Sequence, residues 1–224
     1  MRIPLLVGLV FLAASCSDSS PGVPDALPAI DATPDARPAL PDLVIVGDRI
    51  IPSISIEEQE FLLGDCVLLE ADLCVGGVGT RRLLRFDTTT WNQGNADLEV
   101  GVLGPDSGFV WSSCMQHWHF TSYANYELLG DNNTVVVAGH KQAFCLMDTD
   151  PMIDPAPAPR FSCSFQGISA GWADTYDKFL DCQWIDITGV APGDYTLRIT
   201  INTAHILPES DYTNNVFETP VTLP

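Results

Sequence analysis

The sequence predicts an all-β domain, β-sandwich-like with long loops, and three observations predict it. Short apolar runs rich in β-branched residues recur along the chain, turn-forming segments separate them, and helical periodicity is weak throughout. The first run is Asp42-Leu43-Val44-Ile45-Val46. Ser55-Ile56-Glu57-Glu58 follows and is expected to open a short helix, because a serine ahead of acids suits a helix start. Further strands are expected at Leu83 to Phe86, Leu98 to Leu103, Tyr126 to Leu129, Thr134 to Ala138 and Trp184 to Ile187. Tyr195 to Ile201 alternates polar and apolar residues, as a half-buried strand should. Turns are expected at Asn92-Gln93-Gly94-Asn95, Gly130-Asp131-Asn132-Asn133 and Ala191-Pro192-Gly193-Asp194. Asp148 to Arg160 carries four prolines and reads as a long loop.

The chain has 224 residues, enough for one ordinary domain and a short extra segment. Acidic residues outnumber basic ones 29 to 10, a formal net charge of −19. That excludes a nucleic-acid binder, since no basic stripe faces phosphates. It also excludes electrostatic adhesion to anionic lipid. It suits a cationic partner, a divalent metal or simple solubility. Hydrophobic residues make up 46%, which is enough for a packed core. Seven cysteines point to an oxidising compartment.

Residues 1–16 read as a secretory signal. Arg2 precedes an apolar run that is shorter than the ~20 residues of a spanning helix. Leu12-Ala13-Ala14-Ser15-Cys16 looks like a bacterial lipobox, with Ala13 where a larger aliphatic residue is usual. In that class Cys16 is lipidated, which implies a bacterial cell-envelope protein anchored outside the cytoplasm by lipid alone. The alternative is an ordinary cleaved signal and a secreted protein. Residues 17–41 are rich in Pro, Ala and Asp and lack aromatics, so they read as a semi-rigid tether. The folded domain is expected over 42–224.

The most specific segment is Trp111-Ser112-Ser113-Cys114-Met115-Gln116-His117-Trp118-His119-Phe120. On a strand, Met115, His117 and His119 would share a face, one thioether and two imidazoles. That donor set suits copper, since imidazole binds copper and thioether favours Cu(I). The plain alternative is two surface histidines flanking a buried Trp118. A blue-copper site is disfavoured, because Cys114 and Met115 are adjacent and would face opposite ways.

These residues lie within a longer resemblance. Trp111 to Tyr126, Gly139-His140-Lys141 through Cys145-Leu146, Asp174-Thr175-Tyr176, Asp181 to Thr188 and Pro208 to Asn215 make the domain resemble the catalytic domain of the lysyl oxidase family. The resemblance extends over almost all of residues 42–224. It implies oxidation of primary amines, typically lysine side chains, to aldehydes, with O₂ becoming H₂O₂ and ammonia released. It implies copper and a self-derived cofactor, lysine tyrosylquinone, made from the residues matching Lys141 and Tyr176. The implied partner is a cationic amine or a lysine-rich protein. Asp174 and His140 are candidate bases by their closeness in sequence to Tyr176 and Lys141. The family's copper strand reads His-x-His-x-His, and Met115 stands here in place of the first histidine. That substitution supports a runner-up, a catalytically silent module that binds metal or a surface partner. Periplasmic or surface copper storage through the Met and His cluster is a third reading.

The resemblance also implies a calcium site from Asp42, the Leu43 carbonyl, Glu209, Asp211, Asn214 and Asn215, where a polar turn is the plain alternative. It implies the disulfides Cys66–Cys74 and Cys114–Cys163. Cys145 and Cys182 match half-cystines whose family partners are missing. Both follow cofactor residues closely, which suggests that they pair with each other.

Overall fold

The computed structural model describes residues 38–69, 74–101, 103–105, 108–120, 123–139 and 145–224. Cys16, the tether before residue 38 and the His140–Phe144 segment that contains Lys141 lie outside the described residues. The domain is all-β, as expected. Its strands are β1 (Leu43–Ile45), β2 (Ser55–Phe61), β3 (Gly79–Arg85), β4 (Thr88–Asn92), β5 (Leu98–Glu99), β6 (Phe109–Ser112), β7 (His117–Phe120) and β8 (Ala124–Leu129). They continue with β9 (Val135–Gly139), β10 (Asp150–Pro151), β11 (Gly167–Ile168), β12 (Trp172–Tyr176), β13 (Trp184–Asp186), β14 (Gly193–Ile201) and β15 (Val216–Leu223). One four-residue helix, α1, spans Gly47–Ile50. Among the described residues no helix is long and apolar enough to cross a membrane.

Two four-stranded sheets have the orders β1-β4-β12-β10 and β15-β14-β8-β9. A three-stranded sheet runs β13-β3-β2, and two hairpin-sized pairs are β11-β5 and β6-β7. The core gathers the inward residues of these sheets, including Leu83, Phe86, Tyr126, Leu128, Trp184, Ile185, Leu197 and Ile199. Each of these large side chains is almost wholly withdrawn from water, the main favourable term in folding.

Ser55-Ile56-Glu57-Glu58 opens strand β2, not a helix. The reason lies across the sheet. β2 pairs antiparallel with β3, setting Glu58 opposite Arg82 and Gln59 opposite Arg81. Glu57 makes a 3.5 Å ion pair with Arg85. An acidic run that is poor strand material alone becomes acceptable opposite a basic one. The expected strand Leu98 to Leu103 shortens to Leu98–Glu99, held by β11. The proline-rich loop keeps its character but contributes Asp150 and Pro151 as an edge strand on β12, where a proline is tolerated.

All six domain cysteines form disulfides, but not in the expected pairs. The bridges are Cys66–Cys114, Cys74–Cys182 and Cys145–Cys163. Chain neighbours give way to neighbours in space. Cys74 belongs to the buried core, and its carbonyl accepts a 2.7 Å hydrogen bond from the Trp184 indole. That contact fastens Cys74 to the strand that follows its partner Cys182. Asp148 N donates to Phe161 O and Gly167 N to Leu146 O, so residues 145–148 run alongside 161–167. Cys145 therefore meets Cys163 and not Cys182. Cys114 is braced by Cys66, which opens the short 3-10 helix Cys66–Leu68 after β2.

Candidate functional site

The β6–β7 hairpin carries the imidazoles. Ser112 pairs with His117 and Val110 with His119, so the two histidines share one face of β7. Met115 is not on that strand. It sits in the Ser113–Gln116 turn, which Gln116 closes in the left-handed region at φ 60°. Gln116 N donates to Ser112 O, and Met115 N donates to the Ser112 hydroxyl at 3.0 Å. The expected three-donor strand face thus becomes two donors on a strand and one in the preceding turn. Ser113 to Gln116 make a four-residue loop between the paired Ser112 and His117. The Met115 side chain is half-buried against the core.

His119 is buried at 1% exposure, and its Nε2 lies 2.9 Å from His117 Nε2. His117 Nδ1 lies 3.0 Å from the Met115 carbonyl. A carbonyl only accepts, so His117 Nδ1 carries the hydrogen and His117 Nε2 presents a lone pair. Two nitrogens each about 2.0 Å from one ion and at a right angle stand about 2.8 Å apart. The imidazole pair therefore fits adjacent positions around one metal ion, with a second contact already aiming one ring. Among the described residues no group of three His, Cys, Asp or Glu side chains converges.

The segment that follows Lys141 is fastened to this hairpin. Gln166, fully buried, accepts from Leu146 N at 3.2 Å and donates to the Trp118 carbonyl on β7 at 3.1 Å. The Cys145–Cys163 bridge holds the same point. Asp148 adds a second clamp, accepting from Arg160 N, Phe161 N, Ser169 N and the Ser169 hydroxyl. On the other side of Lys141, Gly139 ends β9 under tight packing. A Cβ there would stand 3.0 Å from Ile185 and 3.1 Å from Tyr126. Neither Gln166 nor Asp148 announces itself in the sequence, since a buried polar residue inside a loop has no periodic signature.

Tyr176 lies at the end of β12, buried at 4% exposure. Its register partner is Thr88, and Asp174, two residues earlier on the same face, pairs with Thr90. Tyr123 and Tyr126 are fully buried nearby. The Tyr126 hydroxyl is 3.0 Å from Thr88 Oγ1 and 3.2 Å from Gln183 Oε1. Burial, with Asp174 beside it, pushes the Tyr176 phenol well above its ordinary range. Tyr123 is pushed up in the same way, by burial first and Asp174 second. The Tyr123 and Thr90 hydroxyls act on each other, yet neither makes an ordinary hydrogen bond. The result is a buried polar chamber in which, among the described residues, the Tyr123 and Thr90 hydroxyls find no ordinary hydrogen-bond partner, a place where water or another polar group is expected.

The chain leaves Tyr176 under control. Buried Arg85 donates to the Lys178 carbonyl at 2.6 Å and lies over the Trp184 ring at 4.4 Å. Burial lowers the Arg85 pKa, and the nearby Glu57 and Asp181 carboxylates oppose that effect. Lys178 itself points away. Its Nζ donates to the Ser53 carbonyl at 3.1 Å and to Ser55 Oγ at 3.2 Å.

A second polar site ties the start of the domain to its end. Glu209, buried, accepts from Leu43 N at 2.8 Å, from Asn215 Nδ2 at 2.9 Å and from Asn202 Nδ2. Asn214 Nδ2 donates to Asp42 Oδ1 at 2.9 Å. The amide oxygens of Asn214 and Asn215 are buried without a hydrogen-bond partner among the described residues. Burial raises the Glu209 pKa, against the lowering effect of its three donors. Asp42, Leu43, Glu209, Asn214 and Asn215 are thus brought together, Leu43 through its N–H. Asp211 instead caps its own turn, accepting from Thr213 N and Oγ1 at 2.7 Å each. Asn202, which completes the Glu209 cradle, was not among the expected residues.

Comparison with known proteins follows the same outline. The family model described as lysyl oxidase matches residues 55–223. The chain is 46% identical over 188 residues to protein-lysine 6-oxidase of Homo sapiens, covering 79% of this chain and 44% of that protein. It is 37% identical over 185 residues to lysyl oxidase homolog 2B of Danio rerio, covering 79% of this chain and 24% of that protein. Lysyl oxidase homolog 2 of Gallus gallus is 37% identical over 191 residues, covering 80% and 24% of the two chains. The chain therefore spans less than half the length of these relatives. With the matched segment covering most of its domain, this chain belongs to the lysyl oxidase family.

Proposed function

We propose that this chain is a copper-dependent amine oxidase, converting primary amines such as lysine side chains to aldehydes with O₂ and releasing H₂O₂ and ammonia. The observation that carries the reading is the imidazole pair, Nε2 to Nε2 at 2.9 Å, in a chain of this family. His117 and His119 would hold copper, with Met115 as a softer donor from the turn. Lys141 and Tyr176 would be joined as lysine tyrosylquinone, which supplies an electron sink for the amine when formed. Around that centre the chain's own residues do the positioning. The Met115 carbonyl fixes the His117 ring. Gln166 and the Cys145–Cys163 bridge hold the chain leaving Lys141, and Arg85 holds the chain leaving Tyr176. The chain has only two lysines, and the engagement of Lys178 with Ser53 and Ser55 favours Lys141 as the crosslinking one. A net charge of −19 raises the local concentration of cationic amines, whether free or on a lysine-rich protein.

Calcium fits the site at the domain ends. Asn214 and Asn215 present orphaned amide oxygens beside Asp42 and Glu209, and hard cations take such oxygens. With Leu43 and Asp211 completing the set after a small rearrangement, the ion would be structural. Lipidation at Cys16 would place the enzyme at a cell envelope, outside the cytoplasm. Met115 supports the second reading, a silent metal-binding or surface-interaction module.

Peptide mass mapping of copper-exposed, aerobically folded protein tests the proposal. A species joining Lys141 to Tyr176, with quinone absorbance, is the expected result. Both residues unmodified despite bound copper would leave the silent module. Met115→His then separates the two, since a latent oxidase gains copper and quinone whereas a binding module gains copper alone.

A further inference from the structure

Three tyrosines are buried around one carboxylate. Tyr123, Tyr126 and Tyr176 are 0%, 0% and 4% exposed, and Asp174 is 1% exposed. Asp174 and Tyr176 share one face of β12, opposite Thr90 and Thr88 of β4. The three hydroxyls are chemically unequal. That of Tyr126 faces Thr88 Oγ1 and Gln183 Oε1, an alcohol and an amide. That of Tyr123 faces Thr90, another alcohol. Such oxygens accept a hydrogen bond but do not keep a proton at neutral pH. Tyr176 stands two residues beyond Asp174 on the same buried face of β12, and the Asp174 carboxylate is the group that most raises its phenol after burial. Asp174 also acts on Tyr123 and Tyr126 through its charge, and Glu209 acts on Tyr123.

Removing an electron from a phenol makes its O–H strongly acidic. The oxidation is easiest where a base stands ready to take that proton. We propose that Asp174 is the proton acceptor that selects Tyr176, and not Tyr123 or Tyr126, for oxidation. The inference rests on reading Tyr176 as the cofactor precursor. In the step, one electron passes from the Tyr176 ring to a one-electron metal oxidant. The Tyr176 O–H bond breaks, and the proton forms an O–H bond with an Asp174 carboxylate oxygen. The products are a neutral tyrosyl group, a carboxylic acid and the reduced oxidant. Before the electron leaves, the same carboxylate holds the proton on the phenol, so Tyr176 stays inert until the oxidant acts.

The test uses metal-free, full-length protein and does not depend on the quinone. Tyr195 and Tyr212, the half-buried remaining tyrosines, are replaced by Phe. Ring-deuterated tyrosine then identifies the tyrosyl signal by electron paramagnetic resonance after photo-oxidation with tris(bipyridine)ruthenium and persulfate. Tyr176→Phe should remove the signal, while Tyr123→Phe and Tyr126→Phe should leave it. Asp174→Asn should lower the yield at neutral pH at least about tenfold, and the yield should climb with pH as hydroxide replaces the lost base. Asp174→Glu should keep most of the signal and a flat pH profile. Asp174→Ser serves if the Asn variant does not fold by circular dichroism. An Asp174→Asn yield equal to that of the parent, or a signal that survives Tyr176→Phe, overturns the proposal. A tyrosyl that forms through Asp174 in a protein whose Tyr176 is never modified by copper and O₂ overturns the quinone reading and leaves the role of Asp174 standing.

Discussion

His117 and His119 meet nitrogen to nitrogen, Nε2 to Nε2 at 2.9 Å, from alternate positions of one strand. With His117 Nδ1 engaged by a carbonyl, the bond between the rings is donated by His119 Nε2 to His117 Nε2. Metal binding requires that proton to leave His119 Nε2, which a neutral imidazole does by carrying it on Nδ1 instead. His119→Ala should lower Cu(II) affinity at least about tenfold, and Met115→His should raise it by about the same factor. Chelator competition monitored by the copper d–d band measures both. Affinity unchanged in both variants would place copper elsewhere.

The Gln166 amide spans two backbone groups, Leu146 N and Trp118 O. Gln166→Leu keeps the volume and strands both. Leaving buried backbone groups unpaired costs about 1–3 kcal/mol, which at this chain length lowers the melting temperature by roughly 3–10 °C. The further expectation is specific to position. The chain emerging from Lys141 loses its tie to the copper hairpin, so the yield of the Lys141–Tyr176 crosslink should fall more than copper content does. Mass mapping and metal analysis on the same sample separate the two.

Which parts of this were legible follows from the physics of each signal. Strands β1, β3, β8, β9, β13 and β14 carry apolar runs or alternation, and these survive tertiary context. Strand β2 does not, because its acids are matched from another strand, Glu57 by an ion pair with Arg85 and Glu58 by Arg82 across the ladder. Strand β4 hides as well, since Thr88, Thr89 and Thr90 are polar, yet all three are fully buried. The imidazole pair was legible from its spacing of two. Met115 was misplaced because residue spacing cannot show where a strand stops and its turn begins. Disulfide pairing was illegible for a related reason, since it depends on which elements become neighbours.

The Cys66–Cys114 bridge closes a loop of 48 residues onto the turn that carries Met115. Chain-entropy arguments assign such a crosslink about 4 kcal/mol. The double variant Cys66→Ala with Cys114→Ala should melt well below the parent and lose copper affinity, because the turn is freed. The pairing itself has a direct check. Non-reducing peptide mapping should find Cys66 with Cys114, Cys74 with Cys182 and Cys145 with Cys163. Recovery of a Cys66–Cys74 peptide would contradict it.

Glu209 gives a stability effect whose sign depends on the ion. Its pKa is raised in the folded protein, chiefly by burial. The folded state therefore holds the proton more tightly than the unfolded chain. In metal-free protein this stabilisation is complete below the unfolded carboxylate pKa of about 4.3 and is lost as pH rises through the folded value. The difference in melting temperature between parent and Glu209→Gln isolates the group from the other acids. In chelator, the parent should lose ground against Glu209→Gln as pH rises from 4 toward 7. Calcium should reverse this trend, because the ion binds the ionised carboxylate and favours the form that burial penalises. At a hundred times its dissociation constant the ion should add about 2.7 kcal/mol to the parent and much less to the variant. A parent insensitive to calcium at neutral pH would reduce the cluster of Asp42, Glu209, Asn214 and Asn215 to a hydrogen-bonded clasp between the two ends of the domain.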